Sequence, residues 1–487
     1  MLALSPQSAS LGAAAPATAA AASLSNLLAK ARAASGEPYR YHIVSISHET
    51  HDGTNFDVTT ESQGQKYVAK SCSHSLCTGF YFDGEHSYNT NFNDTPLPAS
   101  AGIDGLQITL RAIASYAFTA TDFVANGGTL VERDPVLRDG RKYRRISVAP
   151  RLGALLDAIL DPSSGLVVGV ISDERKYAFE FGDQRRIGRG VTLPFAISLN
   201  GFTFTKYERR SVATSALSTP TGVVPNFVDR PPSVSMVESD RGAAPILPCT
   251  IGGEHVSCLL DTGDSGLSMS LELARKLHLK ALGGTFDVHG SGRYVAGIAP
   301  APSLLIGNAT YPAANYVVLS DLARNGYDVI LGADAFAHAR VTVDYANREV
   351  ELAPASPASS GGVPLTFDNF VPVVPIELDG KAVTVQLATG DDGAIVISRD
   401  YAERHPDVTN GRKTGTIASM RLGPLELENQ PFDARENIAY SARVGSDVLR
   451  HCAVTFDYAR GAVIFASQQS ALQQKPSPEV GLEPTTR

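Results

Sequence analysis

Two stretches of this sequence repeat each other, and this repeat constrains the fold more than any other feature does. Residues 246–266 align with residues 373–393 at a constant offset of 127 positions, without a gap. Two shorter pairs of segments also align without a gap further along the chain, namely 331–334 with 444–447 and 341–345 with 454–458. Self-similarity of this kind indicates an internal duplication, so we expect a body of two similar lobes.

The first copy contains an apolar strand that ends abruptly in a polar loop. Residues 258–260 are Cys-Leu-Leu, and Asp261, Thr262 and Gly263 follow them directly. Such a strand holds a carboxylate at a fixed depth, and a glycine beside it lets the backbone approach closely. The hydroxyl of Thr262 can tie the loop to its counterpart in the other copy. The loop therefore predicts half of a functional site, centred on Asp261.

The second copy keeps most of this loop but lacks its acid. The Thr-Gly pair recurs as Thr389 and Gly390, whereas Ala388 stands opposite Asp261. The offset between the copies also falls from 127 to 113 downstream, so the second copy lacks a segment that the first copy has. We therefore expect the second half-site to be degenerate.

The duplicated loop, and the apolar-apolar-Gly segment Ile330-Leu331-Gly332 downstream of it, resemble those of aspartic peptidases, and of the retropepsin-like family in particular. The resemblance implies a bilobal all-β fold that takes a peptide or protein substrate and needs no cofactor or metal. It also implies that Asp261 is the catalytic acid, that Thr262 braces the loop and that Gly263 allows close approach. In this family one carboxylate deprotonates a water while a second one hydrogen-bonds the scissile carbonyl.

A glycine-rich run at 289–297 resembles the flap hairpin with which this family closes over its substrate. Gly290, Ser291 and Gly292 are the predicted tip, because glycines suit a mobile turn. Together with Asp264 they are the predicted substrate-binding residues. The segment missing from the second copy corresponds to this run, which is similar to peptidases that have a single flap.

The absence of a second acid leaves three interpretations open. A nearby carboxylate, from Asp264, Asp391 or Asp392, can replace it; two chains can pair their first lobes; or the fold can serve as a binding groove with little or no hydrolysis. Loss of a general acid or base typically costs about 10² to 10⁴ in rate. The sequence predicts an aspartic endopeptidase that uses Asp261, and the alternative is a catalytically degenerate peptide- or lipid-binding protein.

The first half of the chain has a different pattern, with short strands, polar turns and a helical stretch near 105–118. This pattern predicts an antiparallel sheet with an inserted helix. Four segments resemble successive strands of outer-membrane lipoprotein carrier-like half-barrels: 79–85, 140–143, 160–166 and 190–194. The resemblance implies a curved sheet around a cavity, and hence an apolar ligand. A purely structural β-domain is the alternative.

Charge and hydropathy exclude several classes of partner. The net charge of -8 and the pI near 5.8 give no basic footprint for nucleic acid. No run of 18 or more apolar residues occurs, so we predict no transmembrane segment. Residues 1–35 are an Ala-rich leader or the remnant of a signal peptide that lacks a basic start. With five cysteines in the chain, we expect a periplasmic or secreted protein.

Two pairs of cysteines are candidates for disulfides. Cys249 and Cys258 flank a predicted hairpin turn at 252–255, and this register places them directly opposite each other. Two buried free thiols are the alternative. Cys72 and Cys77 would close a second small loop, which leaves Cys452 without a partner.

The predicted fold is mainly β, with an N-terminal half-barrel followed by the bilobal body. The predicted segments are a leader or signal remnant at 1–35, the half-barrel at 36–215, a linker at 216–243, lobe one at 244–355, lobe two at 356–467 and a disordered tail at 468–487.

Overall fold

The structure is a computed structural model, and it describes most of the chain between residues 15 and 467. The described ranges are 15–51, 54–73, 76–99, 105–172, 176–228, 233–238, 242–289, 292–307, 309–320, 322–355, 361–436 and 440–467. The predicted tail at 468–487 lies outside them.

The chain forms two compact units. Unit 1 consists of Met1–Ser71, Phe80–Ser87 and Ala101–Thr219. Unit 2 consists of Cys72–Gly79, Tyr88–Ser100 and Pro220–Arg487. Two short segments from the first half of the chain therefore group with the second half, which the predicted boundaries did not anticipate.

The helices in the described residues are short, apart from the first one. They are α1 (Ala15–Ser35), α2 (Gly105–Ala114), α3 (Leu271–Lys276), α4 (Ala333–Phe336), α5 (Arg399–Arg404), α6 (Pro406–Thr409) and α7 (Ser446–Leu449). Single 3₁₀ turns lie at Pro38–Arg40, Ala117–Thr119, Gly188–Gly190, Leu322–Asn325 and Tyr458–Arg460. Among the described residues, no helix is both long enough and apolar enough to cross a membrane.

Strands make up most of the regular structure. In the first half they are β1 (Ile43–His51), β2 (Thr54–Gln63), β3 (Lys66–Ser73), β4 (Leu76–Phe82), β5 (Ser87–Thr90), β6 (Pro96–Pro98), β7 (Thr129–Arg138), β8 (Arg141–Ala149), β9 (Leu156–Leu160), β10 (Val167–Ser172), β11 (Tyr177–Arg186), β12 (Thr192–Leu199) and β13 (Phe202–Val212). In the predicted linker and lobe one they are β14 (Asn226–Phe227), β15 (Ser233–Ser235), β16 (Ile246–Ile251), β17 (Glu254–Leu260), β18 (Leu267–Ser270), β19 (Leu282–His289), β20 (Gly292–Ala301), β21 (Leu304–Ile306), β22 (Ala309–Tyr311), β23 (Ala314–Leu319), β24 (Val329–Leu331), β25 (Ala339–Asp344) and β26 (Glu349–Pro354). In lobe two they are β27 (Val363–Pro364), β28 (Thr366–Asp368), β29 (Val371–Leu378), β30 (Lys381–Ala388), β31 (Ile395–Ser398), β32 (Thr414–Leu422), β33 (Leu425–Arg435), β34 (Ala442–Gly445), β35 (Cys452–Asp457) and β36 (Ala462–Ser467). The predicted mainly β fold class is confirmed.

Unit 1 is a half-barrel sheet with helices packed on it. Its strands follow the order β4-β3-β2-β1-β13-β12-β11-β10-β9-β8-β7, and neighbours from β2 round to β7 are antiparallel. The helix predicted near 105–118 is α2, and its buried residues Leu106, Leu110 and Ile113 join the core with strand residues such as Ile146 and Val148.

Helix α1 lies within residues 1–35, the segment for which a leader or signal remnant is predicted. Leu27 and Ala31 are buried in the unit 1 core, and Leu24 and Leu28 pack against it. These four residues recur at the spacing of one helical face, so burying them stabilises the helix against the sheet. The second half of the predicted leader is therefore part of the folded unit.

Unit 2 contains two lobes with corresponding sheets. In lobe one β17 pairs in parallel with β24, and β24 pairs antiparallel with β18. In lobe two β30 pairs in parallel with β34, and β34 pairs antiparallel with β31. Strand β25 of lobe one pairs with β35 of lobe two, so one sheet in the order β15-β26-β25-β35-β36-β27 joins the lobes. The predicted linker contributes β14 and β15, which pair with β22 and β26.

The lobes differ where the flap was predicted. Strands β19 and β20 form a hairpin in lobe one, with His289 paired to Gly292, while the predicted tip residues Gly290 and Ser291 lie outside the described residues. In lobe two the chain runs from α5 and α6 directly into β32 and β33, within a range that the structure describes completely. Residues 399–436 therefore contain one hairpin where lobe one has two.

The hairpin of β16 and β17 has a different register from the predicted one. The turn contains only the two glycines at 252–253, both with positive φ, which is the backbone that a tight hairpin turn requires. Cys249 therefore pairs with Val256, and the prediction that it lies directly opposite Cys258 is wrong.

Both candidate cysteine pairs nevertheless form disulfides. Cys249 and Cys258 are diagonal neighbours on one face of the hairpin and are bonded to each other. Cys72 and Cys77 are also bonded. Cys452 is a buried free thiol, and burial raises its pKa to about 12.

Candidate functional site

Each lobe places its repeated loop at the end of a buried central strand. Strand β17 is buried over its last residues and ends at Leu260, and β30 ends at Ala388. Each of these strands pairs with a parallel neighbour up to its last residue, so each loop begins where the pairing ends. The backbone N–H of Asp264 donates to the carbonyl of Asp261, and that of Asp391 donates to the carbonyl of Ala388, both over 3.2 Å.

The two loops are tied together by reciprocal hydrogen bonds from their threonines. The Thr262 hydroxyl donates to the carbonyl of Leu387 over 2.7 Å, and the Thr389 hydroxyl donates to the carbonyl of Leu260 over 2.7 Å. Each hydroxyl also accepts from the backbone N–H of the other threonine, over 3.0 and 3.1 Å. Both threonines are fully buried. Thr262 and Thr389 thus make the same set of contacts with each other's loop, and the bracing role of Thr262 stays a prediction.

Asp261 lies at the junction of the two loops. Its Oδ1 accepts hydrogen bonds from the N–H of Gly263 over 2.7 Å and from the N–H of Gly390 over 3.2 Å. A Cβ atom added at Gly390 would overlap the Asp261 carboxylate, so only glycine allows this approach. Asp261 as a whole residue is 8% exposed, so it lies close to fully buried at this junction.

Ala388 occupies the corresponding position in lobe two. A Cβ atom added at Gly263 would lie 3.5 Å from the Cβ of Ala388, just as one at Gly390 would meet Asp261. Ala388 is 2% exposed. The two loops therefore provide two equivalent positions for a pair of acids, and only the position in lobe one carries an acid.

The neighbouring carboxylates are used by their own loops. Asp264 accepts from the N–H of Gly266 through Oδ1 and from the hydroxyl of Ser268 through Oδ2, each over 2.9 Å. Asp391 accepts from the N–H of Gly393 over 3.0 Å. These contacts stabilise the turns that follow the repeated loops. The substrate-binding role of Asp264 stays a prediction.

A second buried carboxylate, which the sequence analysis missed, lies beneath the loop of lobe one. Asp334 is fully buried in α4. Its carboxylate accepts hydrogen bonds from Asn91 over 2.9 Å, from Asn93 over 2.6 Å and from the hydroxyl of Thr95. Burial raises the pKa of the Asp334 carboxyl, and these hydrogen bonds counteract part of that shift.

The segment 91–95, which supplies these donors, also contacts the repeated loop of lobe one. Asn91 donates to the carbonyl of Ser265 over 2.8 Å. The ring of Phe92 packs so closely on Gly266 that a Cβ atom there would overlap it. The repeat-equivalent Asp447 has a 40% exposed side chain and pairs with Arg450 at 3.8 Å. Only a short polar run marks this segment in the sequence, and that run predicts no more than a turn.

Asp334 gives unit 2 a pH dependence with a definite sign. Because its folded-state pKa is raised, the folded protein holds this proton more tightly than the unfolded chain, where the carboxyl titrates near about 3.9. The resulting stability is complete below about pH 4 and is lost as the pH rises through the folded-state pKa. We expect the free energy of unfolding of the unaltered protein, relative to Asp334→Asn, to fall as the pH rises above about 4.

Urea unfolding at a series of pH values measures this difference. Asp447→Asn is the matched control, because it removes the repeat-equivalent carboxyl, whose side chain is 40% exposed. A difference that rises with pH for Asp334→Asn would mean that the three donors favour the ionised form.

Aromatic side chains fill the space between the lobes near the site. The rings of Phe336 and Tyr458 stack with centroids 5.2 Å apart, and Phe456 meets Phe336 edge to face at 5.5 Å. Burial, and next the charge of Asp261, raise the pKa of Tyr458 well above its ordinary value. Tyr458 is therefore a neutral phenol packed near the carboxylate.

No metal site accompanies these groups in the part of the chain that the structure describes. His, Cys, Asp and Glu side chains there form no cluster of three or more that could hold an ion.

Comparison with known proteins supports the family resemblance for lobe one. Residues 247–335 match a family model described as "Aspartyl protease", so this part of the chain is aspartyl protease-like. The match includes Asp261 and ends just after Asp334. A search of curated proteins found no match.

Among solved structures, the chain is similar to the basic 7S globulin from soybean. The two share 10% identity with a TM-score of 0.36, over 51% of this chain and 97% of that one.

Proposed function

We propose that unit 2 binds an extended peptide across the junction of its lobes, with Asp261 as the polar anchor and sole catalytic acid. The observation that carries this proposal is the reciprocal threonine bonding, which fixes Asp261 opposite Ala388. A carboxylate held by two backbone N–H groups can orient a water against a peptide carbonyl. The group that would hydrogen-bond that carbonyl is absent at residue 388.

Peptide hydrolysis is accordingly proposed as a slow activity of this groove. Removal of one general acid or base typically lowers a rate by about 10² to 10⁴, and groups that act as a unit lose more. Asp391 is a poor substitute, because it lies three residues past Ala388 and catalytic geometry must hold within about 0.5 Å. Pairing of two first lobes is also disfavoured, since Thr389 already occupies the partner position of Thr262.

Two features of the whole chain belong to the same proposal. The corresponding strand pairings and loop bonds of the lobes support an internal duplication, after which lobe two lost its acid and its flap. The two disulfides support an oxidising compartment, either the periplasm or the extracellular space.

Digestion and binding of a peptide library test the proposal at acid and neutral pH. The unaltered protein should retain peptides and cleave them slowly, and Asp261→Asn should abolish the cleavage while the protein stays folded. Asp447→Asn is a control with an exposed carboxyl outside the site and should behave like the unaltered protein. Cleavage that survives Asp261→Asn would remove Asp261 from the reaction, and a failure to retain any peptide would contradict the binding function.

A further inference from the structure

Unit 1 encloses a cavity of about 270 Å³ between its curved sheet and α2. The volume is close to the lower end of the range for small-molecule sites, about 300 to 1,000 Å³. Apolar side chains from several strands and from α2 line it, including Ile43, Val58, Phe82, Ile108, Leu193 and Phe204. Phe204 is 57% exposed, so the cavity opens to solvent beside β13. An alkyl chain fits such a lining.

One charged side chain in the cavity has an unused hydrogen-bond donor. Arg111 of α2 lines the cavity, and its Nη1 is buried with no hydrogen-bond partner among the described residues. Its guanidinium lies on the ring of Tyr67, 3.3 Å from the centroid, with Phe80 at 5.2 Å. The rings stabilise the cation through their faces but accept no ordinary hydrogen bond. Burying a charge without a partner is costly, so a ligand that supplies an acceptor would be favoured.

The other charged groups of the lining leave the cavity with an excess of positive charge. Lys66, Arg111 and Arg210 line it together with a single carboxylate, Glu49. Arg210 is already engaged, because it donates to the hydroxyl of Ser45 over 3.0 Å and to a backbone carbonyl over 2.6 Å. The net charge of the whole chain is -8, so this positive lining runs against the rest of the protein. Lys66 is exposed to solvent, so Arg111 is the buried cation of the lining that is most available to an anion.

We propose that the unit 1 cavity binds a single-chain anionic amphiphile, with its alkyl chain on the apolar lining and its carboxylate or phosphate on Arg111. The guanidinium stays charged at physiological pH and presents donors in a fork that suits either head group. This site is separate from the groove proposed for unit 2, and its test does not depend on peptide binding or hydrolysis.

Calorimetric titration of the full chain with three twelve-carbon probes tests the proposal. We expect dodecanoate or dodecyl phosphate to bind at least about tenfold tighter than dodecanol, since a charge-assisted hydrogen bond is stronger than a neutral one. The stronger of the two anions shows whether a fatty acid or a phosphate-bearing lipid is the better match. Equal affinity for dodecanol, or no binding of any probe, would overturn the proposal.

Arg111→Met should remove the preference for anions, so that dodecanoate and dodecyl phosphate bind no tighter than dodecanol does. Arg141→Met is the matched control, because Arg141 is exposed, pairs with Asp161 at 2.7 Å and does not line the cavity. The control should keep the preference. If Arg111→Met also keeps it, then Arg111 does not bind the head group.

Thermal unfolding gives a second readout that a purely structural arginine would not produce. Without ligand, Arg111→Met should unfold at a higher temperature than the unaltered protein, because a buried unpaired charge is gone. The unaltered protein should gain stability when dodecanoate is added, and the variant should not. A variant that is less stable without ligand would show that the arginine serves the fold, and Arg111→Gln would then repeat the binding test with a smaller change in polarity.

Discussion

Replacing Ala388 with aspartate is expected to raise the rate of peptide hydrolysis by about 10² to 10⁴, the typical contribution of a positioned acid or base. The Cβ of residue 388 already lies opposite Gly263, as Asp261 lies opposite Gly390. A carboxylate there would restore the second member of the pair without a change in the backbone. The two acids would share one proton, because like charges about 3 Å apart do not both ionise.

The increase should be measured as kcat/KM on a peptide that the unaltered protein retains. Ala388→Asn is the matched control, because it adds a side chain of similar size without an acid and should give no increase. Combining Ala388→Asp with Asp261→Asn should cancel the gain. A folded Ala388→Asp protein with unchanged activity would argue that the two loops do not form a catalytic pair.

The second large effect concerns stability. Thr262→Val removes a hydroxyl that donates to Leu387 and accepts from Thr389, and so leaves a buried carbonyl and a buried N–H without partners. Each buried group left unpaired costs about 1 to 3 kcal/mol, so the free energy of unfolding should fall by about 2 to 6 kcal/mol. Thr389→Val should cost a similar amount, because its bonds mirror those of Thr262.

Denaturant unfolding measures both losses. Thr342→Val is a suitable control: its hydroxyl meets that of Thr455 at 2.9 Å across the sheet that joins the lobes, in a partly buried setting. That variant should lose no more than about 1.5 kcal/mol, the usual value of one hydrogen bond. An equal loss of unfolding free energy in all three variants would mean that the repeated loops are no more tightly held than the rest of unit 2.

The sequence predicted those features of the site that depend on local pattern and on the repeat. The alignment of Thr262 with Thr389, and of Asp261 with Ala388, predicted that the two loops correspond, and the structure brings these residues together. The mainly β class followed from short strands and polar turns. The register of the β16–β17 hairpin was missed because two consecutive glycines can form the whole turn, so the cysteines moved from opposite to diagonal positions.

The missed features depend on contacts between residues far apart in the sequence. Asn91 and Thr95 reach Asp334 across 243 and 239 positions, and no local spacing indicates such a pairing. From the sequence alone, Arg111 is an ordinary polar residue on an amphipathic helix. Its place in the cavity lining depends on the sheet that packs around α2. The burial of Leu27 and Ala31 in the unit 1 core depends on the same kind of distant contact.

The pairing of Thr95 with Asp334 also has a consequence for how the protein is made. At about 5 to 20 residues per second, roughly 12 to 48 s of translation separate the two residues, which are 239 positions apart. During that interval the segment 91–95 has been synthesised, whereas Asp334, whose carboxylate accepts its hydrogen bonds, has not. Lobe one therefore completes its packing around Asp334 only after residue 334 has been synthesised.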